Sequence, residues 1–105
     1  MFNIIARKNL LEYCKRYHLA ALALQEWYHE MAQHDFNNFN ELKNVYGNAS
    51  IIADNRVIFN IMGNNYRLIV RVSFQYKAIQ IKWFGTLAEY NNTDVTGTNF
   101  KKKQP

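Results

Sequence analysis

The chain has 105 residues, 49% of them hydrophobic, which is enough for one domain with one core and too apolar for a disordered chain. Residues 55–105 carry eight Lys and Arg against two acids, whereas residues 1–54 carry five against six. This basic half is typical of proteins that bind nucleic acid, although surplus charge also keeps small domains soluble. The single cysteine, Cys14, excludes a disulfide framework, and no apolar run is long enough to span a bilayer.

The first half of the chain predicts a short strand followed by helices. The expected elements are a strand over 2–5, helices over 8–17, 20–33 and 40–45, and a strand over 51–53. Apolar residues recur at helical spacing in the two longer helices, which predicts buried faces made of Leu10, Leu11, Cys14 and Tyr17 and of Leu24, Trp27, Tyr28 and Met31. The apolar N-terminus precedes Arg7 and Lys8, the reverse of a signal peptide, so we expect a cytoplasmic protein.

The second half predicts a small sheet. Three runs alternate apolar with other residues, and we expect strands over 56–61, 66–74 and 78–84. Gly63-Asn64-Asn65 predicts a tight turn between the first two strands. Thr86 is expected to cap one helical turn that runs through Tyr90. The order of elements indicates an α+β fold, in which N-terminal helices pack on one face of a small curved antiparallel β-sheet and a short helical turn ends the chain.

The alternation divides the side chains of the sheet between two faces. The expected core face carries Tyr66, Leu68, Val70, Val72, Phe74, Ile79, Ile81 and Trp83. The opposite face carries Arg56, Asn60, Arg67, Arg71, Lys82 and Phe84. We therefore expect an open, concave and cationic face, with almost no acids beside it, that suits a negatively charged partner. Each cation taken singly could also be an ordinary solvated side chain.

Two segments carry a resemblance to a known family. The run N-R-V-I-F-N-I-M-G-N-N-Y-R-L at 55–68 and the run G-T-L-A-E-Y at 85–90 resemble the HigB family of bacterial toxins. The opening I-I-A-R-K at 4–8 and the stretch around Trp27-Tyr28 resemble it too, so the likeness covers most of residues 2–94. It implies a RelE-like fold and the toxin of a type II toxin–antitoxin pair, which cleaves messenger RNA on the ribosome. A HigA-type antitoxin with a helix-turn-helix domain is then the expected partner.

The resemblance also implies a site that uses neither a metal nor a cofactor. Such RNA cleavage uses the 2′-hydroxyl as nucleophile, and it needs a proton acceptor, a proton donor and a cation for the phosphorane-like transition state. Arg67 matches the arginine of the family's Tyr-Arg-Leu motif and is expected to grip the phosphate. Tyr90 matches the tyrosine of Glu-Tyr, and Lys82 is a candidate base. The expected RNA-binding residues are Arg56, Asn60, Arg71 and Glu89.

Two positions depart from the family pattern. Leu87 stands where the family commonly has a histidine, the natural acid or base near neutral pH, and Lys82 stands where it favours arginine. Three classes of function therefore remain open: a ribosome-dependent endoribonuclease, a non-catalytic RNA- or ribosome-binding module, and a domain whose basic face holds an acidic antitoxin segment. We expect one domain over 1–94 and a flexible basic tail over 95–105.

Overall fold

A computed structural model describes residues 1–5 and 7–92, apart from the side chain of Arg7. The elements are β1 (Asn3–Ile5), α1 (Arg7–Arg16), a 3-10 turn (His18–Ala20), α2 (Ala21–Gln33), α3 (Phe39–Val45), β2 (Ser50–Ile52), β3 (Arg56–Ile61), β4 (Tyr66–Ser73), β5 (Ala78–Thr86) and α4 (Leu87–Asn91). The tail predicted over 95–105 lies outside the described residues. In the described ranges, no helix is both long enough and apolar enough to cross a membrane.

The strands form one sheet in the order β1-β5-β4-β3-β2. The antiparallel pairing predicted for the three main strands is confirmed, and β2 extends it by a fourth antiparallel strand. The edge strand β1 instead runs parallel to β5, which the sequence did not predict. Two parallel neighbouring strands need a long connection between them. Between β1 and β5, all the elements from α1 to β4 form this connection.

Left-handed backbone closes the two hairpins beside β3. Asp54 and Asn55 have φ of 64° and 58° between β2 and β3, and Met62 and Gly63 have φ of 55° and 66° between β3 and β4. Asp54, Asn55 and Gly63 are residue types that adopt this conformation at low cost, which favours a turn at these points, whereas Met62 adopts it against the usual preference of its type.

Aromatic side chains join the helices to the sheet. Tyr13 of α1 lies 5.6 Å from Phe84 of β5, and Trp27 of α2 lies 5.5 Å from Phe59 of β3, between ring centroids. The predicted buried face of α2 is largely confirmed, since its Leu24 and Met31 are fully buried and its Trp27 is 4% exposed, while Tyr28 is half-buried.

The prediction that Leu11 is buried in α1 is wrong. Its side chain is 48% exposed, whereas Leu10 and Cys14 are buried. These two residues are four apart and lie on one side of the helix, while Leu11 lies about a quarter-turn further round. The α1 contact with the sheet is therefore narrower than the apolar pattern indicates.

A β-bulge in β5 reverses the alternation of its side chains. Lys82 has no partner in β4, because its two neighbours in β5 face the consecutive residues Ile69 and Val70. The extra residue turns Phe84 into the core, where it is 2% exposed, and places Trp83 on the opposite face. The predicted positions of Trp83 and Phe84 are therefore wrong, since strict alternation assumes that no residue is inserted.

Candidate functional site

The sheet face that points away from the helices carries the predicted site. We call it the cationic face and define it by Arg56, Ile58, Asn60, Arg67, Ile69, Arg71, Gln80 and Trp83. Ile58 and Ile69 in its middle are 4% and 0% exposed, so the face is less open than the sequence predicts. Accessible polar groups lie toward its two ends, where the strand register places Arg67 opposite Asn60 and Arg71 opposite Gln80.

At one end, the turn between β3 and β4 holds the guanidinium of Arg67. Nη1 donates to the carbonyl oxygens of Asn64 and Tyr66 at 3.1 Å each, and Nη2 donates to Oδ1 of Asn64 at 3.1 Å. The guanidinium carbon lies 5.8 Å from the centroid of the Tyr90 ring. We call these two side chains the Arg67–Tyr90 pair. These bonds orient the guanidinium and leave part of its donor set for a phosphate.

The short helix α4 holds Tyr90 beside this turn. Thr86 and Glu89 form a capping box, in which the Thr86 N–H donates to Glu89 Oε1 at 2.8 Å and the Glu89 N–H donates to Thr86 Oγ1 at 3.2 Å. The N–H of Leu87 donates to the carbonyl of Asn65 at 3.0 Å, which ties the start of α4 to the β3–β4 turn. Tyr90 also lies 6.4 Å from Trp83, between ring centroids.

Glu89 joins α4 to α1. The hydroxyl of Tyr17 donates to both carboxylate oxygens, at 2.9 and 3.1 Å, and Nη2 of Arg16 lies 3.7 Å from Oε2. Burial raises the pKa of Glu89, but hydrogen bonds from Thr86 and Tyr17 outweigh it, so the pKa is lowered overall. Burial, followed by the bond to this carboxylate, raises the pKa of Tyr17 to about 12. Glu89, expected to contact RNA, has contacts that hold two helices together.

A carboxylate lies between two arginines of the cationic face. Asp54 Oδ1 is 3.3 Å from Nη2 of Arg71, and its Oδ2 is 3.6 Å from Nη2 of Arg56. The expectation of a face with almost no acids is therefore wrong at this point, because the β2–β3 turn brings Asp54 back over the strands. The side chain of Arg56 is only 5% exposed, whereas that of Arg71 is 48% exposed, so Arg71 is the accessible cation.

Two further predicted residues are Lys82 and Asn60, of which Asn60 lies opposite Arg67 in the sheet. Lys82, the half-buried bulge residue, makes no hydrogen bond or ion pair with the part of the chain that the structure describes. Asn60 lines a cleft between the edge of β3 and α2, where Glu26 and Glu30 are also found. Within residues 1–5 and 7–92, no three His, Cys, Asp or Glu side chains are grouped so that they could hold a metal ion.

Sequence reasoning missed two contributors to the site. Asn64 was predicted only as a turn residue, yet its carbonyl and its side chain both bind Arg67. The signal was present, since Asn64 is part of the G-N-x-Y-R string that carries the resemblance. Tyr17 was predicted only as a core residue, and nothing local in the sequence connects it with Glu89, 72 positions away.

Together, these features define a small α+β protein with a cationic sheet face and an arginine held over a tyrosine at one end of it. Comparison with protein families gives the class a name. Residues 20–93 match the model of the HigB toxin family, described as the RelE-like toxic component of a toxin–antitoxin system. The chain therefore belongs to the HigB toxin family, as the residues at 55–68 and 85–90 indicate. No curated protein matches the chain.

Proposed function

We propose that this toxin is a metal-independent endoribonuclease that cleaves translated messenger RNA on the ribosome and that a HigA-type antitoxin neutralises it. One observation carries the proposal: the guanidinium of Arg67 is held by Asn64 and lies 5.8 Å from the ring of Tyr90. The two residues come from β4 and from α4, and they occupy the positions at which the family resemblance expects a phosphate clamp and a proton-carrying side chain.

The proposed reaction needs no bound cofactor. The 2′-oxygen attacks the adjacent phosphorus as its proton leaves, and the bond from phosphorus to the 5′-oxygen breaks as that oxygen takes up a proton. The products are a 2′,3′-cyclic phosphate and a free 5′-hydroxyl. Arg67 donates to the phosphate oxygens, where negative charge accumulates in the transition state. The phenol of Tyr90 supplies the proton to the leaving oxygen, and Lys82 remains the candidate base.

Leu87 determines how the proton steps are assigned. It is the first residue of α4, its backbone is bound to Asn65, and its side chain is half-buried. An aliphatic side chain cannot exchange a proton, so the chemistry falls to Tyr90 and Lys82. The same observation favours a second candidate function, a toxin-fold protein that binds RNA, the ribosome or the antitoxin without cleaving RNA.

The other cations have different proposed roles. Arg71 contacts the RNA backbone, because its side chain is half exposed at the far end of the cationic face. Arg56 is buried, so we assign it to holding Asp54 in place, and Asp54 in turn orients Arg71. Asn60 remains a proposed RNA contact at the edge of β3, and Glu89 acts by holding α4 rather than by touching RNA.

The test is induced expression in bacteria followed by mapping of new messenger RNA 5′ ends. The variants are the parent, Arg67→Ala, Leu87→His and, as a charge-matched control, Lys8→Ala on the exposed surface of α1. Cuts in translated messages that persist in Lys8→Ala and vanish in Arg67→Ala support a ribosome-linked nuclease. Cuts from Leu87→His alone indicate a disarmed toxin fold, and cuts from no variant favour the binding module.

The partner has a separate test. The small helix-turn-helix protein expected from the neighbouring gene is co-expressed with the affinity-tagged Arg67→Ala variant and purified through the tag. Co-purification, together with rescue of growth when the parent toxin is induced, supports the antitoxin. Failure of both contradicts the proposed antitoxin. The nuclease proposal is then judged by the RNA mapping alone.

A further inference from the structure

A pocket of about 300 Å³ lies at the Arg71 end of the cationic face. Its lining includes Ile5, Asn55, Arg71, Ser73, Tyr76 and Gln80. Ile5 pairs with Gln80, and Gln80 pairs with Arg71, so one row of side chains crosses β1, β5 and β4 at this point. Residues far apart in the sequence therefore meet in this pocket, to which the family motif at 55–68 contributes Asn55.

The pocket has an exposed aromatic ring on its border. Tyr76 is 76% exposed in the turn between β4 and β5, and its N–H donates to Oγ of Ser73 at 3.3 Å. The bond ties this part of the turn to the pocket wall. An exposed tyrosine is a stacking surface for an unpaired nucleobase, and proteins that bind single-stranded RNA use aromatic rings in this way.

The polar groups of the pocket match the remaining parts of a nucleotide. The side-chain amides of Asn55 and Gln80 offer both donors and acceptors, as base edges do. Arg71 offers N–H groups to a phosphate, and its contact with Asp54 at 3.3 Å limits where the guanidinium can lie. An acidic peptide fits less well, since it has no planar base to stack on the exposed ring of Tyr76.

The pocket lies on a continuous path from the Arg67–Tyr90 pair. Arg67 and Arg71 are four residues apart on the same face of β4, and a strand rises ~3.4 Å per residue, so the two ends are separated by about 14 Å. A few nucleotides of single-stranded RNA cover this distance. A strand whose scissile phosphate lies at Arg67 therefore reaches the pocket without leaving the sheet.

We propose that this pocket binds one nucleotide of the RNA strand that Arg67 holds, with its base stacked on Tyr76 and its edge contacted by Gln80 and Asn55. The pocket then sets a base preference at a fixed distance from the cut. The inference rests on the proposed function for the position of the cut, whereas RNA binding in the pocket is measurable without cleavage.

The experiment measures binding to the full chain by fluorescence anisotropy. The probes are four short labelled RNA oligonucleotides, each built from a single type of base. They are methylated at every 2′-oxygen so that they cannot be cleaved. The variants are Tyr76→Ala, Tyr76→Phe and Gln80→Ala, with Gln75→Ala as the matched control, because Gln75 is exposed in the same turn and does not line the pocket.

Tyr76→Ala is expected to weaken binding about 10-fold, since the base loses its stacking on the aromatic ring. Tyr76→Phe retains the ring and the affinity, Gln75→Ala binds as the parent does, and Gln80→Ala reduces the differences among the four sequences. Equal affinities for Tyr76→Ala and Gln75→Ala overturn the inference, as does a Gln80→Ala variant that keeps the parent's base preference.

Cleavage separates this inference from the proposed function. If the parent never cuts messages but its RNA binding depends on Tyr76, the nuclease proposal fails and the nucleotide pocket stands. If the parent cuts messages and Tyr76→Ala binds every probe as Gln75→Ala does, the nuclease stands and the pocket inference is wrong.

Discussion

A methyl group added at Gly85 tests how tightly the site is built. Gly85 lies opposite Arg67 in the sheet, and a Cβ atom there would lie 2.7 and 2.8 Å from Cη2 and Cζ2 of Trp83. It would also lie 2.9 Å from Oε1 of Glu89. Carbon atoms in ordinary contact are ~3.5–4.0 Å apart, so Gly85→Ala cannot be accommodated without movement.

Neither neighbour moves freely. The indole of Trp83 is a rigid, half-buried ring beside Tyr90, and the carboxylate of Glu89 is bound by Thr86 and Tyr17. Overpacking of this kind costs ~1–3 kcal/mol. A domain of this size loses about 4–8 °C of melting temperature for each kcal/mol, so Gly85→Ala is expected to melt roughly 5–20 °C below the parent.

The measurement is thermal unfolding followed by circular dichroism, with Gly47→Ala as the control. A Cβ at Gly47 meets no atom within 4 Å, so that variant is expected to melt at or slightly above the parent temperature. Repeating Gly85→Ala in a Trp83→Leu background removes the indole and should recover part of the loss. The steric argument is refuted if Gly85→Ala and Gly47→Ala melt within about 2 °C of each other.

Three further substitutions address the charged groups. Tyr17→Phe removes a donor to the half-exposed Glu89 and should lower the free energy of unfolding by about 1 kcal/mol in urea titrations. The pKa of Tyr17 is raised from 10.0 to about 12, so its contribution is present below pH 10 and is lost as the pH rises through 12; Tyr17→Phe should flatten that alkaline loss. Asp54→Asn keeps a residue that tolerates φ of 64° but removes the charge of a half-exposed carboxylate, and should cost about 0.5–1 kcal/mol in the same titration; an unchanged free energy of unfolding would show that the carboxylate does not stabilise the fold. Arg67→Lys should reduce messenger RNA cleavage ~10²-fold in a chain that still unfolds cooperatively, and parent-like cleavage would exclude a forked phosphate clamp.

Much of the sheet could be predicted from the sequence, because its strands alternate clearly. The strand predicted over 56–61 agrees with β3, and the turn predicted at Gly63 closes the hairpin with Met62. The bulge could not be predicted. Trp83 and Phe84 are both apolar, so the pattern does not indicate which of them enters the core, and it is packing against Tyr13, Tyr17 and Tyr66 that makes Phe84 the core residue.

The arrangement of charges on the cationic face could not be predicted, because it depends on the register of the strands, which local sequence does not specify. Asp54 is 17 residues from Arg71 in the chain, and it reaches that side chain only because β2 and β3 close on a left-handed turn at Asp54 itself. A count of charges along β3 and β4 therefore overstates the positive charge of the face. The half-exposed Arg71, rather than the buried Arg56, is the cation that remains available at this end.

The position of Tyr90 depends on Tyr17, a residue outside the two motifs that reveal the family, as well as on residues within those motifs. The five-residue helix α4 is too short to be stable alone, so its contacts must hold it. The capping box fixes its first turn, Asn65 binds the N–H of Leu87, and Tyr17, which directly follows α1, holds Glu89. A sequence that kept Tyr-Arg-Leu and Glu-Tyr but lacked the hydroxyl of Tyr17 would retain both site residues and lose part of what keeps them together. The N-terminal helix therefore supports the site as well as the core.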